Sequence, residues 1–137
     1  VTYLLDTNVL SETRKRQPAE GVTDWIAATP PERLHVSVLT LGEIEQGIAR
    51  IRGRGDQQQA GALERWLQEV ELGFADRILP VTLLVASAWG RQQYKQPISV
   101  IDALIAATAR VNGMTVVTRN VKDFQHSGIQ VLNPFMD

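Results

Sequence analysis

No cysteine occurs in the 137 residues, which excludes disulfides, thiolate metal sites and cysteine nucleophiles and suits a reducing compartment. Long apolar runs are missing as well. No stretch approaches the roughly 20 residues of a membrane helix, and the opening VTYLLDTN meets an acid at Asp6, unlike an export leader. A soluble cytoplasmic domain, with no membrane partner, is therefore expected. Charge of one sign is lacking too. Fourteen Lys plus Arg against fifteen Asp plus Glu exclude a uniformly basic nucleic-acid coat, though not a local basic patch. Lysine is scarce, three residues against eleven arginines. Arginine's planar donor fork suits phosphate and carboxylate, but genomic composition explains the bias equally well.

Several catalytic signatures are absent. There is no Walker phosphate loop, no Rossmann GxGxxG and no GxSxG elbow. The glycine-containing stretch from Gly53 to Gln58 has no strand before it and no Lys-Ser/Thr after it. His35 and His126 stand apart, without an HExxH pattern, so a zinc hydrolase is a poor fit.

What is present reads as one α/β domain over residues 1–137. With 44% hydrophobic residues the chain is neither disordered nor fibrous, and its length allows about two thirds of the unfolded surface to be buried. Short apolar runs at Val1–Leu5, Leu34–Val38, Arg77–Val81, Thr115–Thr118 and Gly128–Leu132 predict strands. Helices are predicted from Asn8 as cap to about Lys15, over Thr23–Ala28, Thr40–Ile51 and Asp56–Phe74, through Val85 and Trp89, and over Ser99–Asn112. The Asp56–Phe74 segment carries Leu63, Trp66, Leu67, Val70 and Phe74 at three- and four-residue spacing, an amphipathic stripe. Strands alternating with helices imply a mainly parallel sheet.

Four acids occupy similar local settings. Asp6 closes the first strand, while Glu43, Asp102 and Asp123 each fall three residues after Thr40, Ser99 and Asn120. Those three spacings match a helix cap and its N3 acid, so capping alone accounts for any one of them. Asp6 has no equivalent capping explanation at this stage. In a parallel sheet, strand ends and the starts of following helices converge on one edge, where ligands bind. Four carboxylates gathered there repel one another, and a hard divalent cation relieves the repulsion. Capping and ligation are compatible readings.

The segments LLDTNVLSE at 4–12, VLTLGEIEQGI at 38–48, DALIAATA at 102–109 and VVTRNVKDF at 116–124 together resemble the motifs of PIN-domain ribonucleases. The match is to the VapC and FitB-like toxins of type II toxin–antitoxin modules, and the closing VLNPF at 131–135 fits that group. The resemblance implies a three-layer α/β/α domain with a mainly parallel sheet and an acidic pocket binding Mg²⁺ or Mn²⁺. By position, the pocket acids and metal ligands are Asp6, Glu43, Asp102 and Asp123. Thr7, Asn8, Thr118 and Asn120 match supporting polar positions. The implied reaction is hydrolysis of RNA by an endoribonuclease toxin, with a VapB-like antitoxin as inhibitor. A homodimer or toxin–antitoxin hetero-oligomer, contacting DNA through the antitoxin, is expected. The WGRQQYKQP stretch at 89–97 is shorter than in related toxins.

Arg119, between Thr118 and Asn120, is the leading candidate RNA phosphate contact, and Arg14 is a second. RIRGR at 50–54 reads better as a solvated helix end. Trp25, Trp66 and Trp89 read as core residues rather than base-stacking platforms. Two rival functions remain open. One is a covalent phosphatase using Asp6, disfavoured because Asn8 stands where its second acid would be. The other is a catalytically weak or inactive toxin-like component of a nucleic-acid-binding autoregulatory complex.

Overall fold

The computed structural model describes residues 1–135, the side chain of His126 excepted. Five strands form one sheet: β1 (Tyr3–Leu5), β2 (Leu34–Ser37), β3 (Ile78–Leu79), β4 (Thr115–Val117) and β5 (Val131–Leu132). All their pairings are parallel, in the order β3-β2-β1-β4-β5. Among the described residues, seven α-helices connect them: α1 (Thr7–Glu12), α2 (Glu20–Ala28), α3 (Val38–Gly53), α4 (Gln57–Gly73), α5 (Leu83–Arg91), α6 (Val100–Asn112) and α7 (Val121–Phe124).

The strands are apolar throughout because both sheet faces are covered. Successive strand residues point to opposite sides, and the core divides accordingly. Leu5, Val36 and Val117 pack in one cluster with Val9, Ile44, Ile48, Leu67 and Val70 from α1, α3 and α4. Leu4 and Val116 pack in the other with Ile105, Ala106 and Ala109 of α6 and Phe124 of α7. This two-sided burial makes the three layers.

Helix α6 shows how sequence sets a layer. Ser99 caps it, its hydroxyl accepting the Asp102 N–H at 3.1 Å, and alanines fill its buried positions 103, 106, 107 and 109. Small side chains let the helix approach the sheet closely. Gly113 ends it in the left-handed conformation at φ 64, and the Met114 N–H returns to the Ala109 carbonyl at 2.9 Å.

Three expectations need correction. Asn8 does not cap α1; Asp6 does, its carboxylate accepting the Thr7 N–H at 2.9 Å, so the helix begins one residue after the strand's last acid. Thr40 does not open α3 either. Ser37 caps it through the Leu39 N–H, three residues earlier, because β2 runs straight into the helix. Trp89 is not a core residue: it is 38% exposed at the end of α5, one turn beyond the buried Val85 and beside the irregular segment 92–98. Trp25 and Trp66 do pack against the core, Trp25 edge-on to Tyr3 at 5.0 Å.

The strand order positions the site. The chain leaves β1 to build β2 and β3 on one side, then returns to add β4 and β5 on the other. The connections after β1 and β4 therefore diverge, opening a crevice at the carboxyl edge between two adjacent strands.

Candidate active site

Asp6 follows β1 and Thr118 follows β4, so the two flank that crevice. Both are buried, at 4% and 0% exposure. The Thr118 hydroxyl donates to Asp6 Oδ2 at 2.8 Å, and the Asn8 side-chain amide approaches the same oxygen at 3.4 Å. Asn8 then spans the crevice: its Oδ1 accepts the Arg119 N–H at 3.1 Å. The Asn120 N–H closes the network by donating to Thr118 Oγ1 at 3.0 Å. Asn120 itself makes no side-chain cap for α7, contrary to its predicted capping position. A carboxylate fixed by an amide and hydroxyl donors has one orientation available, which suits it to hold a ligand.

Glu43 lies in the second turn of α3, half-buried, with its Oε1 accepting from the Thr7 hydroxyl at 2.7 Å. Since α3 starts at Val38, capping does not explain this acid; it is held toward α1 instead. Asp102 is the N3 residue of α6, where Ser99 holds its backbone. Asp123 is exposed in α7, its N–H bonded to the Asn120 carbonyl at 3.1 Å.

Electrostatics link these acids. Burial pushes the Asp6 carboxyl above its ordinary range despite the hydrogen bonds from Thr118 and the Thr7 N–H, and the negative charge of Asp123 adds to the rise. Burial raises Asp102 to about 6, with Asp6 the next cause and further upward contributions from Asp123 and Glu43. Four carboxylates from four separate elements therefore share one electrostatic neighbourhood. Among the described residues, no three acids are drawn together as a ready ligand cage. Unscreened like charges favour such spreading. The donor set is all oxygen and close-coupled, which fits a hard divalent cation and no soft one.

Cavities flank the acids. One is lined by Thr7, Ser11, Arg14 and Glu43 among others, so Arg14 reaches the pocket's edge. Two more meet at Asp123, and Arg119 lines the wider of them. The Arg119 guanidinium lies 4.6 Å over the Phe135 ring.

A family model described as "PIN domain" matches residues 3–128. The chain belongs to the PIN-domain family. Within it, this PIN domain is 36% identical to the plasmid stability protein StbB of Pseudomonas syringae pv. tomato, covering 96% of this chain and 97% of that protein. It is 34% identical to the VapC ribonuclease Y4jK of Sinorhizobium fredii, covering 96% of each. Among solved structures it resembles FitAcB from Neisseria gonorrhoeae with a TM-score of 0.89 and 33% identity, covering 99% of this chain and 100% of that one. A FitAB structure bound to an IR36 DNA fragment gives 0.88 at 32% identity, covering 99% and 97%.

One polar residue of this PIN domain escaped the sequence reading. Glu12, at the end of α1, is 6% exposed, accepts the Ala19 N–H at 2.9 Å and pairs with Lys15 at 2.8 Å. Those contacts hold its carboxyl below the ordinary range, the Lys15 bond first. It ties α1 to the start of α2. The only available signal was an acid closing a helix in which the dipole disfavours it. RIRGR behaves as a solvated helix end: Arg52 pairs with exposed Glu64 at 2.9 Å.

Proposed function

We propose that this PIN domain is a metal-dependent endoribonuclease toxin, kept inactive by a VapB-like antitoxin. One observation carries the reading: Asp102, at the start of α6, feels the negative charge of Asp6, Glu43 and Asp123 from three other parts of the chain, beside the crevice where the strand order reverses. Asp6 and Asp102 are the leading ligands for Mg²⁺ or Mn²⁺, with Asp123 and Glu43 completing the oxygen set. When bound, such an ion supplies positive charge to a phosphodiester oxygen and to an attacking water.

The rest of the chemistry belongs to the side chains. Thr118 and the Thr7 N–H fix the Asp6 carboxylate, Asn8 locks the two loops together, and Thr7 holds Glu43 with Oε2 free of protein partners among the described residues. That free oxygen is a candidate proton acceptor. Asp102, raised to about 6, holds its proton closer to neutrality than an ordinary aspartate. Arg119, with Arg14 on the other side, contacts RNA phosphate.

The antitoxin seat is a groove of about 410 Å³ between α1, α2 and α4, lined by Leu10, Thr13, Ile26, Trp66, Val70 and Phe74. Exposed Leu83 and Leu84 of α5, at 84% and 62%, offer apolar surface for a second copy. DNA binding then belongs to the antitoxin within a hetero-oligomer. No helix among the described residues is long and apolar enough to cross a membrane, and we read residues 1–137 as one cytoplasmic domain.

Expression in a bacterial host tests the reading. The parent chain should arrest growth, Asp6→Asn should not, and co-expression of the neighbouring gene product should rescue growth. Equal arrest by both chains would break the link between pocket and toxicity.

A further inference from the structure

A cavity adjoins Asp123, away from the other three acids of the proposed site. It measures about 290 Å³ and is bounded by Tyr94, Gln96 and Pro97 from the segment before α6, and by Lys122, Asp123 and Gln125 from the β4–β5 connection. A wider, open depression of about 640 Å³ lies on the other side of Asp123 and shares Lys122, Asp123 and Gln125 with it. Arg119 lines the wider depression and Lys122 lines both. Lys122 forms no ion pair among the described residues.

The chemistry of the smaller cavity is specific. Gln96 and Gln125 are both exposed, and each presents a carboxamide, which donates and accepts at once. That pairing of functions matches a nucleobase edge better than a phosphate or an apolar side chain. Tyr94 lines the cavity, and its hydroxyl is buried without a hydrogen-bond partner among the described residues. Tyr94 also provides an aromatic ring for stacking. In the chain, this wall directly precedes Ser99 and α6, the helix that carries Asp102.

We propose that this cavity is the subsite for the base flanking the scissile phosphate, with Gln96 and Gln125 reading its edge and Lys122 neutralising the adjoining phosphate. The inference rests on the ribonuclease reading and deepens it: it locates RNA sequence preference in the short segment 94–98 and the residues after β4. A seat for an antitoxin peptide is the competing use of the same walls.

Two measurements separate the possibilities. The first titrates the ¹⁵N-labelled chain with AMP, GMP, CMP and UMP, following the side-chain amides of Gln96 and Gln125. At least one nucleotide should shift both amides more than the others do, and Gln96→Ala/Gln125→Ala should weaken its binding about tenfold. The second sequences the cut ends of a random RNA pool. The parent should favour one base beside the cut, and the double variant, with an unchanged thermal melt, should lose about tenfold of that preference. If the parent cuts no RNA while nucleotides still shift the two amides, the ribonuclease reading fails and the nucleotide subsite stands. If no nucleotide shifts them, or if cleavage preference survives the double variant while antitoxin inhibition weakens, the subsite assignment is overturned.

Discussion

The Thr118 hydroxyl makes three hydrogen bonds, donating to Asp6 and accepting from the Asn120 N–H and the Asn8 side-chain amide, and the residue has no exposed surface. Thr118→Val keeps the shape and removes all three. Cleavage should fall about 10- to 100-fold, as for other residues that orient a ligand, while Thr118→Ser recovers most of it. Steady-state cleavage assays with Mn²⁺ titration check this. Asp102 makes the complementary case. Its carboxyl is raised to about 6 in the folded chain, against 3.8 ordinarily, so the folded state holds its proton more tightly. Ionised Asp102 then opposes folding, and in EDTA the stability of the chain should decline as pH rises from about 4 to 6. Asp102→Asn should flatten that slope and raise the melting temperature above pH 7. A lower melting temperature for the variant at pH 7.5 would contradict the electrostatic account.

At the scale of elements, α6 carries its acid on a rigid mount. Ser99→Ala removes the cap and should cost about 1 kcal/mol, lowering the urea midpoint by roughly 0.5 M. Cleavage should drop too, because the Asp102 backbone loses its anchor. This helix was fully legible beforehand: Ser99, the alanine-rich body and Gly113 each signal locally. The starts of α1 and α3 were not. Asn8 and Thr40 have the right chemistry for caps, but each strand here runs directly into its helix, so Asp6 and Ser37 take the cap positions. That shift turned Asp6 from an unexplained acid into a cap, and removed the capping explanation from Glu43. The four acids stand out in the sequence because they fall within motif segments, and their joint role remains the proposal tested below. Glu12 and the Gln96–Gln125 cavity were not legible, since their partners depend on how distant loops meet.

For the whole molecule, near neutrality conceals a division of charge. Assigning Asp6, Glu43, Asp102 and Asp123 to the proposed site leaves eleven acids against fourteen basic residues elsewhere. Contact with RNA through Arg14, Arg119 and Lys122 should be salt-sensitive, with affinity for a single strand falling roughly tenfold between about 50 and 200 mM salt. Filter binding with Asp6→Asn, which removes turnover, measures that slope.

The proposed chemistry is that Asp6, Asp102, Asp123 and Glu43, around the β1–β4 crevice, hydrolyse RNA with a divalent ion. The most direct measurement is cleavage of a labelled RNA by the purified chain, free of antitoxin, with Mg²⁺ or Mn²⁺ and with EDTA, beside Asp6→Asn and Asp102→Asn. The account predicts endonucleolytic products with either ion, none in EDTA, and a loss of at least about 100-fold in both variants. Cleavage that persists in EDTA, or that both variants retain at the parent's rate, would contradict it.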